Sequence, residues 1–207
     1  MTRQAWTAVG GAVAVMVAVV VIIVLAAVPL PDFPPVAPGQ FDASLAYVTE
    51  SNCIRVADLA DAEVRELHCV SDRDWIDNVV WTESGIEVGV EGFQSTITVL
   101  DPDTGDVIET RNRDGAYPGD WLNQEQNLWV DVPSDGTVVI RDETNQVLVT
   151  LEGPELYGVD AVVGASDGQM VALVDSSERL AVFDRNVGQP YLVDTDARPY
   201  PPPSWQP

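Results

Sequence analysis

The sequence predicts an all-β domain of four repeats of about 40 residues, preceded by one N-terminal transmembrane helix. Three observations lead to this fold class. Residues 4–31 contain no ionisable side chain. Apolar residues then recur in a fixed register, and turns rich in Gly and Asp separate them. The boundaries that follow are a stub at 1–7, a transmembrane helix at 8–28, a Pro-rich linker at 29–43, a repeat domain at 44–194 and a Pro-rich tail at 195–207.

The apolar segment at 8–28 has the length of a membrane span. At about 1.5 Å per residue it extends roughly 32 Å, and a bilayer's hydrocarbon core is about 30 Å thick. A buried core helix is disfavoured because the segment is apolar on every face. A cleaved signal peptide is the remaining alternative, with Leu25-Ala26-Ala27 as the cleavage site, but signal peptides have apolar regions of only about 7–15 residues. We therefore expect an uncleaved anchor.

The charges on either side of this segment predict its orientation. Arg3 precedes the segment and Asp32 follows it. The positive-inside rule then places the N-terminus in the cytoplasm and the large domain outside. We expect a single-pass protein of the cell membrane with an extracytoplasmic domain.

Beyond the anchor the chain is strongly acidic. All 33 Asp and Glu lie there with nine of the ten basic residues, which gives that part a net charge of −24. Every basic residue is Arg, which we interpret as the codon bias of a GC-rich bacterial genome. Nucleic acid is disfavoured as a partner because phosphate binding needs clustered Lys and Arg. Divalent cations and basic proteins are compatible with this charge.

The two cysteines predict a disulfide bond. Cys53 and Cys69 lie almost symmetrically about the turn Ala60-Asp61-Ala62, so a hairpin centred there brings them to facing positions. In an oxidising compartment such a pair is expected to form a bond, and the loop that it closes is of a size worth about 3 kcal/mol. A zinc site would need two to four further ligands, whereas His68 is the only histidine.

Four valines define the register of the repeat. Val56, Val99, Val139 and Val182 are separated by 43, 40 and 43 residues and begin the triplets VAD, VLD, VIR and VFD. The positions two, nine and eleven residues before each valine are also apolar, apart from Thr137. They are Ile54, Ile97, Thr137 and Leu180; Tyr47, Val90, Val130 and Leu173; and Leu45, Val88, Leu128 and Val171.

The spacing by two residues predicts β-strands. Residues 78–81 and 160–163 supply an additional first strand for the second and fourth repeats, and 120–126 would do so for the third. The first repeat has no clear first strand. Either a strand at 40–44 completes it, or the fold is an open stack with a free edge that invites pairing. The tail at 198–207 is predicted to be disordered or a short partner ligand, and unable to join a sheet because proline lacks the N–H donor.

Four short strands every 40 residues or so are typical of β-propeller blades. Ser166–Asp184 (SDGQMVALVDSSERLAVFD) and Ser95–Val107 (STITVLDPDTGDV) resemble the repeats of WD40-like and quinoprotein-like β-propellers. The resemblance covers about residues 44–194. It implies a propeller-like architecture, either a closed four-bladed ring or an open partial one, and a tendency to bind proteins or small ligands. It implies no catalytic residue and no cofactor, because the paired Trp-Asp and Gly-His signatures are absent.

No motif in the sequence predicts catalysis. There is no G-x-S-x-G elbow, no Walker motif and no H-E-x-x-H. The abundant carboxylates leave glycosidase chemistry open without selecting a pair. Asp101, Asp103 and Asp106 are a candidate calcium site, although the same residues suit a hairpin turn. Four tryptophans are expected in the core, with a stacking site as the alternative: Trp75, Trp81, Trp121 and Trp129.

The function expected from the sequence is that of a membrane-anchored extracytoplasmic binding or scaffold protein. It would have no catalytic site, no cofactor and a protein partner or an envelope ligand. The alternatives are a cell-envelope hydrolase acting on glycan or peptide, and an accessory subunit of a membrane complex. Self-association through an open blade edge is a further expectation.

Overall fold

The computed structural model describes residues 33–71, 73–92, 94–113, 128–131, 138–142, 144–151, 159–166 and 168–207. This part of the chain consists of strands, turns and extended segments. It contains no helix with the length and apolarity that a bilayer crossing requires. The predicted transmembrane helix at 8–28 and the stub at 1–7 lie outside these residues, so both stay predictions.

Fifteen strands follow one another in the described part of the chain. They are β1 (Ser44–Val48), β2 (Cys53–Asp58), β3 (Glu63–Cys69), β4 (Trp75–Thr82), β5 (Gly85–Glu91), β6 (Thr96–Leu100), β7 (Val107–Asn112), β8 (Leu128–Asp131), β9 (Val138–Asp142), β10 (Val147–Leu151), β11 (Val159–Gly164), β12 (Met170–Asp175), β13 (Leu180–Asp184), β14 (Tyr191–Asp194) and β15 (Ser204–Trp205).

The strands form four antiparallel sheets, one for each predicted repeat. Their orders are β15-β1-β2-β3 in sheet 1, β4-β5-β6-β7 in sheet 2, β8-β9-β10 in sheet 3 and β11-β12-β13-β14 in sheet 4. The four register valines lie in β2, β6, β9 and β13, the strand next to the outermost one in each sheet. The repeat register is therefore confirmed, as are the first strands at 78–81 and 160–163. The strand predicted at 120–126 lies outside the described residues.

An aspartate side chain closes the turn after the register strand, which explains the Val-x-Asp triplets. Its Oδ1 accepts the backbone N–H two residues further on, an arrangement typical of Asx turns. The distances to this N–H are 3.0 Å for Asp58, 2.9 Å for Asp101 and 2.7 Å for Asp184. In the third repeat, where Arg141 replaces the aspartate, the next residue, Asp142, accepts the N–H of Thr144 at 2.9 Å.

The central strands of sheets 1 and 4 are buried on both faces because each sheet packs between neighbouring sheets. In β1, Leu45 and Tyr47 pack towards sheet 4, whereas Ala46 and Val48 pack towards sheet 2. A third apolar cluster, which includes Ile140 and Leu173, joins sheets 3 and 4. Blade-like sheets with two buried faces support a propeller-like architecture. The described residues show three of the four junctions that a closed ring would need, so the choice between a closed and an open ring stays a prediction.

The C-terminal tail does join a sheet, so its expected exclusion was wrong. Ser204 and Trp205 pair with Ala46 and Leu45, and the N–H of Gln206 donates to the carbonyl oxygen of Ser44 at 2.9 Å. The prolines end at 203, and the residues that follow carry the donors that a strand needs. This strand takes the place for which a segment at 40–44 was predicted, and it covers the β1 edge of sheet 1.

The described part of the linker also contacts a sheet. Leu192 of β14 donates its N–H to the carbonyl oxygen of Pro34 at 2.8 Å, and Val36 donates its N–H to Leu192 at 3.1 Å. Phe33 is buried beside the guanidinium of Arg179. Proline lacks an N–H donor but keeps its carbonyl oxygen as an acceptor. The proline-rich segment can therefore accept a hydrogen bond from the edge strand of sheet 4.

Candidate functional site

A cavity of about 520 Å³ lies where strand ends from all four sheets meet. In sheets 1, 2 and 4 the first strand ends at the same edge as the register strand, because one antiparallel strand lies between them. In sheet 3 the first described strand, β8, pairs directly with the register strand β9 and therefore starts at that edge. The cavity is therefore bordered by the end of β4, the start of β8, the end of β9, the turn between β11 and β12, and the tail after β15. Concave sites of this size suit small ligands or single side chains of a partner.

Two tryptophans form apolar walls of the cavity. Trp81 lies near the end of β4, and Trp205 lies in β15. The backbone N–H of Trp81 donates to the hydroxyl oxygen of Ser204 at 2.9 Å, and the indole N–H of Trp205 donates to the carbonyl oxygen of Val163 at 3.1 Å. The tail thus links sheets 2 and 4 at the cavity, and the hydrogen bond to Val163 fixes the ring of Trp205.

One ion pair provides the charged side chains of the described lining. Arg185 Nη2 lies 3.8 Å from Asp142 Oδ2, and Arg185 Nη1 donates to the carbonyl oxygen of Gly168 at 2.8 Å. Hydrogen bonds from the Thr144 hydroxyl and the Gln146 N–H hold the pKa of Asp142 below its ordinary value. Asp142 is therefore ionised at neutral pH. Together with the two indoles, this pair suits a ligand that has an apolar body and a polar end.

The disulfide prediction is confirmed. Cys53 and Cys69 are bonded at 2.03 Å, and they lie opposite each other in the register of β2 and β3. Glu66 lies close enough to complete a trio of metal-ligating types, but both sulfurs are committed to the bond. His68 lies on β3 opposite Ile54 and is absent from the cavity lining described above.

The calcium candidate occupies the turn between β6 and β7. Asp101 Oδ1 accepts the N–H groups of Asp103 and Thr104, both at 2.9 Å, and Arg65 of β3 donates to the carbonyl oxygen of Asp103 at 2.6 Å. In the described part of the chain, three metal-ligating side chains cluster closely only in the cysteine-containing trio. The turn accounts for these aspartates, and calcium binding by Asp101, Asp103 and Asp106 stays a prediction.

The tryptophans divide between the core and the surface. Trp81 is buried as expected, whereas Trp75 at the start of β4 is exposed. Trp121 and the side chain of Trp129 lie outside what is described. Sequence reasoning did not select Trp205, because a proline rule had removed the tail from the sheets. The signal that was available is that sheet 1 lacked a first strand while the tail was still unassigned.

A second polar cluster lies between sheets 1 and 4. The Tyr47 hydroxyl donates a short hydrogen bond to Asp194, which also pairs with Arg55 at 2.9 Å. Burial, followed by this hydrogen bond, raises the pKa of Tyr47 above its ordinary range. Perturbed groups often mark functional sites. Tyr47, however, is fully buried, so here the hydroxyl donates to a partly buried carboxylate and joins two sheets.

Comparisons with known proteins leave the family open. No protein-family model matches the chain, and no curated protein matches it. It is similar to a chain in the crystal structure of the mitotic checkpoint complex, with 17% identity and a TM-score of 0.31, over 79% of this chain and 57% of that one. It is also similar to the C-terminal WD40 domain of Sif2, with 12% identity and a TM-score of 0.28, over 76% and 48%. The chain thus spans about half the length of these two chains. The propeller-like assignment rests on the sheets themselves.

Proposed function

We propose that the chain is a single-pass membrane protein whose sheet domain lies outside the cytoplasm and binds a protein partner or an envelope ligand. The observation that carries this proposal is the cavity at the meeting point of the four sheets. It combines two indole rings with the pair of Arg185 and Asp142. Rigid strands hold these groups, so little conformational entropy is lost when a ligand binds.

Binding fits the cavity better than hydrolysis does. A glycan hydrolase needs a second carboxylate, roughly 5–10 Å from the first, to share the acid and base roles. The described lining contributes Asp142 as its one carboxylate, and that group already accepts hydrogen bonds from Thr144 and Gln146. We therefore propose a non-catalytic protein that works without a cofactor.

The disulfide supports the extracytoplasmic location. Bonds such as Cys53–Cys69 persist in oxidising compartments and are rare in the cytosol. The apolar segment at 8–28 and the position of Arg3 favour the same orientation. The acidic surface beyond the anchor suits a basic partner better than an anionic lipid surface or a nucleic acid.

Two serine variants test the role of the cavity. Ser166 is an exposed lining residue in the turn before β12, and Ser176 is exposed in the turn after β12. We expect Ser166→Tyr to fill the cavity and to remove specific partners from cross-linked membranes of cells that express the full chain. Ser176→Tyr makes the same chemical change at the opposite end of β12 and should retain those partners. Identical partner sets for both variants, measured by quantitative mass spectrometry, would contradict binding at the cavity.

A further inference from the structure

Trp75 is an exposed aromatic residue at the start of β4, and the cavity lies at the other end of this strand. It retains 46% of its surface in contact with water, whereas the other described tryptophan side chains, Trp81 and Trp205, are buried. Trp81 lies six positions after Trp75 along the strand, which at about 3.3 Å per residue corresponds to roughly 20 Å. Tyr200 in the tail is 45% exposed. Exposed tryptophan, tyrosine and nearby arginine are typical of protein interfaces.

The ring of Trp75 is held from one side by Arg198. The guanidinium carbon of Arg198 lies 3.7 Å from the ring centroid, and the residue itself is only 4% exposed. Its Nη1 donates to Asn52 Oδ1 at 2.8 Å, and its Nη2 donates to the carbonyl oxygen of Ile76 at 2.5 Å. Its Nε donates to the carbonyl oxygen of Tyr200 at 2.6 Å. The aromatic surface is thus fixed before any partner arrives, which lowers the entropic cost of binding.

Acidic side chains surround this aromatic surface. Glu91 lies directly opposite Trp75 in the register of β4 and β5, and it is exposed. The Asp74 carboxylate occupies the space beside Gly92, the residue after Glu91. Glu50 is exposed in the turn between β1 and β2, which also carries Asn52, the hydrogen-bond acceptor of Arg198. Of the basic residues close by, Arg198 is buried and Arg113 pairs with Asp77 at 2.5 Å, while Arg73 is exposed.

We propose that Trp75, Tyr200, Glu91, Asp74 and Glu50 form a docking surface for a basic segment of a partner protein. An Arg or Lys side chain of that segment lies on the solvent-facing side of the Trp75 ring, and Glu91 balances its charge. Cation–π contact and charge complementarity both favour such a partner. The surface is separate from the cavity, so this inference goes beyond the proposed function and does not depend on it.

The test uses the full chain in a neutral detergent and a fluorescent peptide of alternating Gly and Arg, with a Gly and Gln peptide of equal length as the uncharged probe. We expect the Arg peptide to bind more tightly than the Gln peptide. Trp75→Leu should weaken its binding about tenfold, since a cation–π contact is lost. Glu91→Gln should weaken it about threefold, as expected for one exposed charge pair.

Glu83→Gln is the matched control for Glu91→Gln. Glu83 is exposed at the other end of the same hairpin, and both substitutions remove one negative charge. We expect Glu83→Gln and the cavity variant Ser166→Tyr to leave the peptide affinity unchanged. Equal losses of peptide affinity for Glu83→Gln and Glu91→Gln would show that net charge alone causes the effect, and this would overturn the proposal. Unchanged binding by Trp75→Leu would overturn it as well, and the melting temperatures of all variants confirm that they fold.

Discussion

The indole N–H of Trp205 donates to the carbonyl oxygen of Val163, so the side chain of a residue in sheet 1 is hydrogen-bonded to the backbone of sheet 4. The same tail places Ser204 against the backbone of Trp81 in sheet 2. A segment of only two paired residues therefore connects three sheets. Its contribution to stability comes from the buried ring and these cross-sheet hydrogen bonds.

Substitution of Trp205 should separate these two contributions. We expect Trp205→Ala to lower the free energy of unfolding by about 3–5 kcal/mol, because a large buried ring is lost. Trp205→Phe keeps most of the ring and should cost less, with about 1 kcal/mol attributable to the lost hydrogen bond. Urea titration of the full chain measures both values. Equal stability of the two variants would contradict a role for the ring in joining the sheets.

Gly105 should tolerate alanine less well than Gly39. Both have a positive φ, 76° and 75°, so alanine costs about 1–2 kcal/mol of backbone strain at either position. A Cβ on Gly105 would lie 2.5 Å from the carbonyl oxygen of Leu67 in sheet 1, whereas Gly39 has open space. We therefore expect Gly105→Ala to be the more destabilising of the two in thermal unfolding. A similar loss for both variants would show that the close approach to Leu67 relaxes without cost.

The Asp101 turn should contribute stability that depends on pH. Hydrogen bonds from the backbone of Thr104 and then Asp103 lower the pKa of Asp101 below its ordinary value of 3.8. A lowered pKa in the folded state stabilises the fold above the unfolded-state pKa, and this contribution is lost as the pH falls through the folded-state value. Asp101→Asn should therefore be less stable than the wild type at neutral pH, with a difference that shrinks below about pH 4. A difference that stays constant down to about pH 2 would contradict this origin.

The disulfide should stabilise the hairpin of β2 and β3. Cys53 and Cys69 are 16 residues apart. Closing a loop of about this length lowers the conformational entropy of the unfolded chain, which stabilises the fold by about 3 kcal/mol. We expect the double variant Cys53→Ser, Cys69→Ser to unfold at lower urea by a corresponding amount. Intact mass under non-reducing conditions, after thiol alkylation, checks the bond in the native protein. Two alkylated thiols in protein purified from its membrane would contradict it.

The parts of the fold that could be predicted depend on local patterns. The register valines and their alternating neighbours determine which side chains enter a sheet-to-sheet junction, so the strands around Val56 and Val182 follow from spacing alone. The cysteine pair was predictable for the same reason, because the Ala60-Asp61-Ala62 turn determines what lies opposite Cys53.

The parts that could not be predicted depend on contacts between distant residues. Trp205 pairs with Leu45, from the other end of the domain, and no local pattern marks a two-residue strand. The proline rule excluded residues 201–203 from a sheet correctly, but it does not apply to Ser204. Arg198 stacks on the ring of Trp75 from a distant part of the chain, and composition does not encode such a contact.

The predicted anchor at 8–28 can be tested by one substitution at its centre and one outside it. Ala18→Arg places a charge at the middle of the span, where it costs about 2.5–3.5 kcal/mol on insertion scales. We expect this variant to be depleted from the membrane fraction, whereas Gln4→Arg adds a charge to the cytoplasmic stub and should be retained. The wild-type protein should keep its N-terminal segment when its intact mass is measured. An intact mass that corresponds to a chain beginning just after Ala27 would show that the segment is a signal peptide. The domain would then be released instead of anchored.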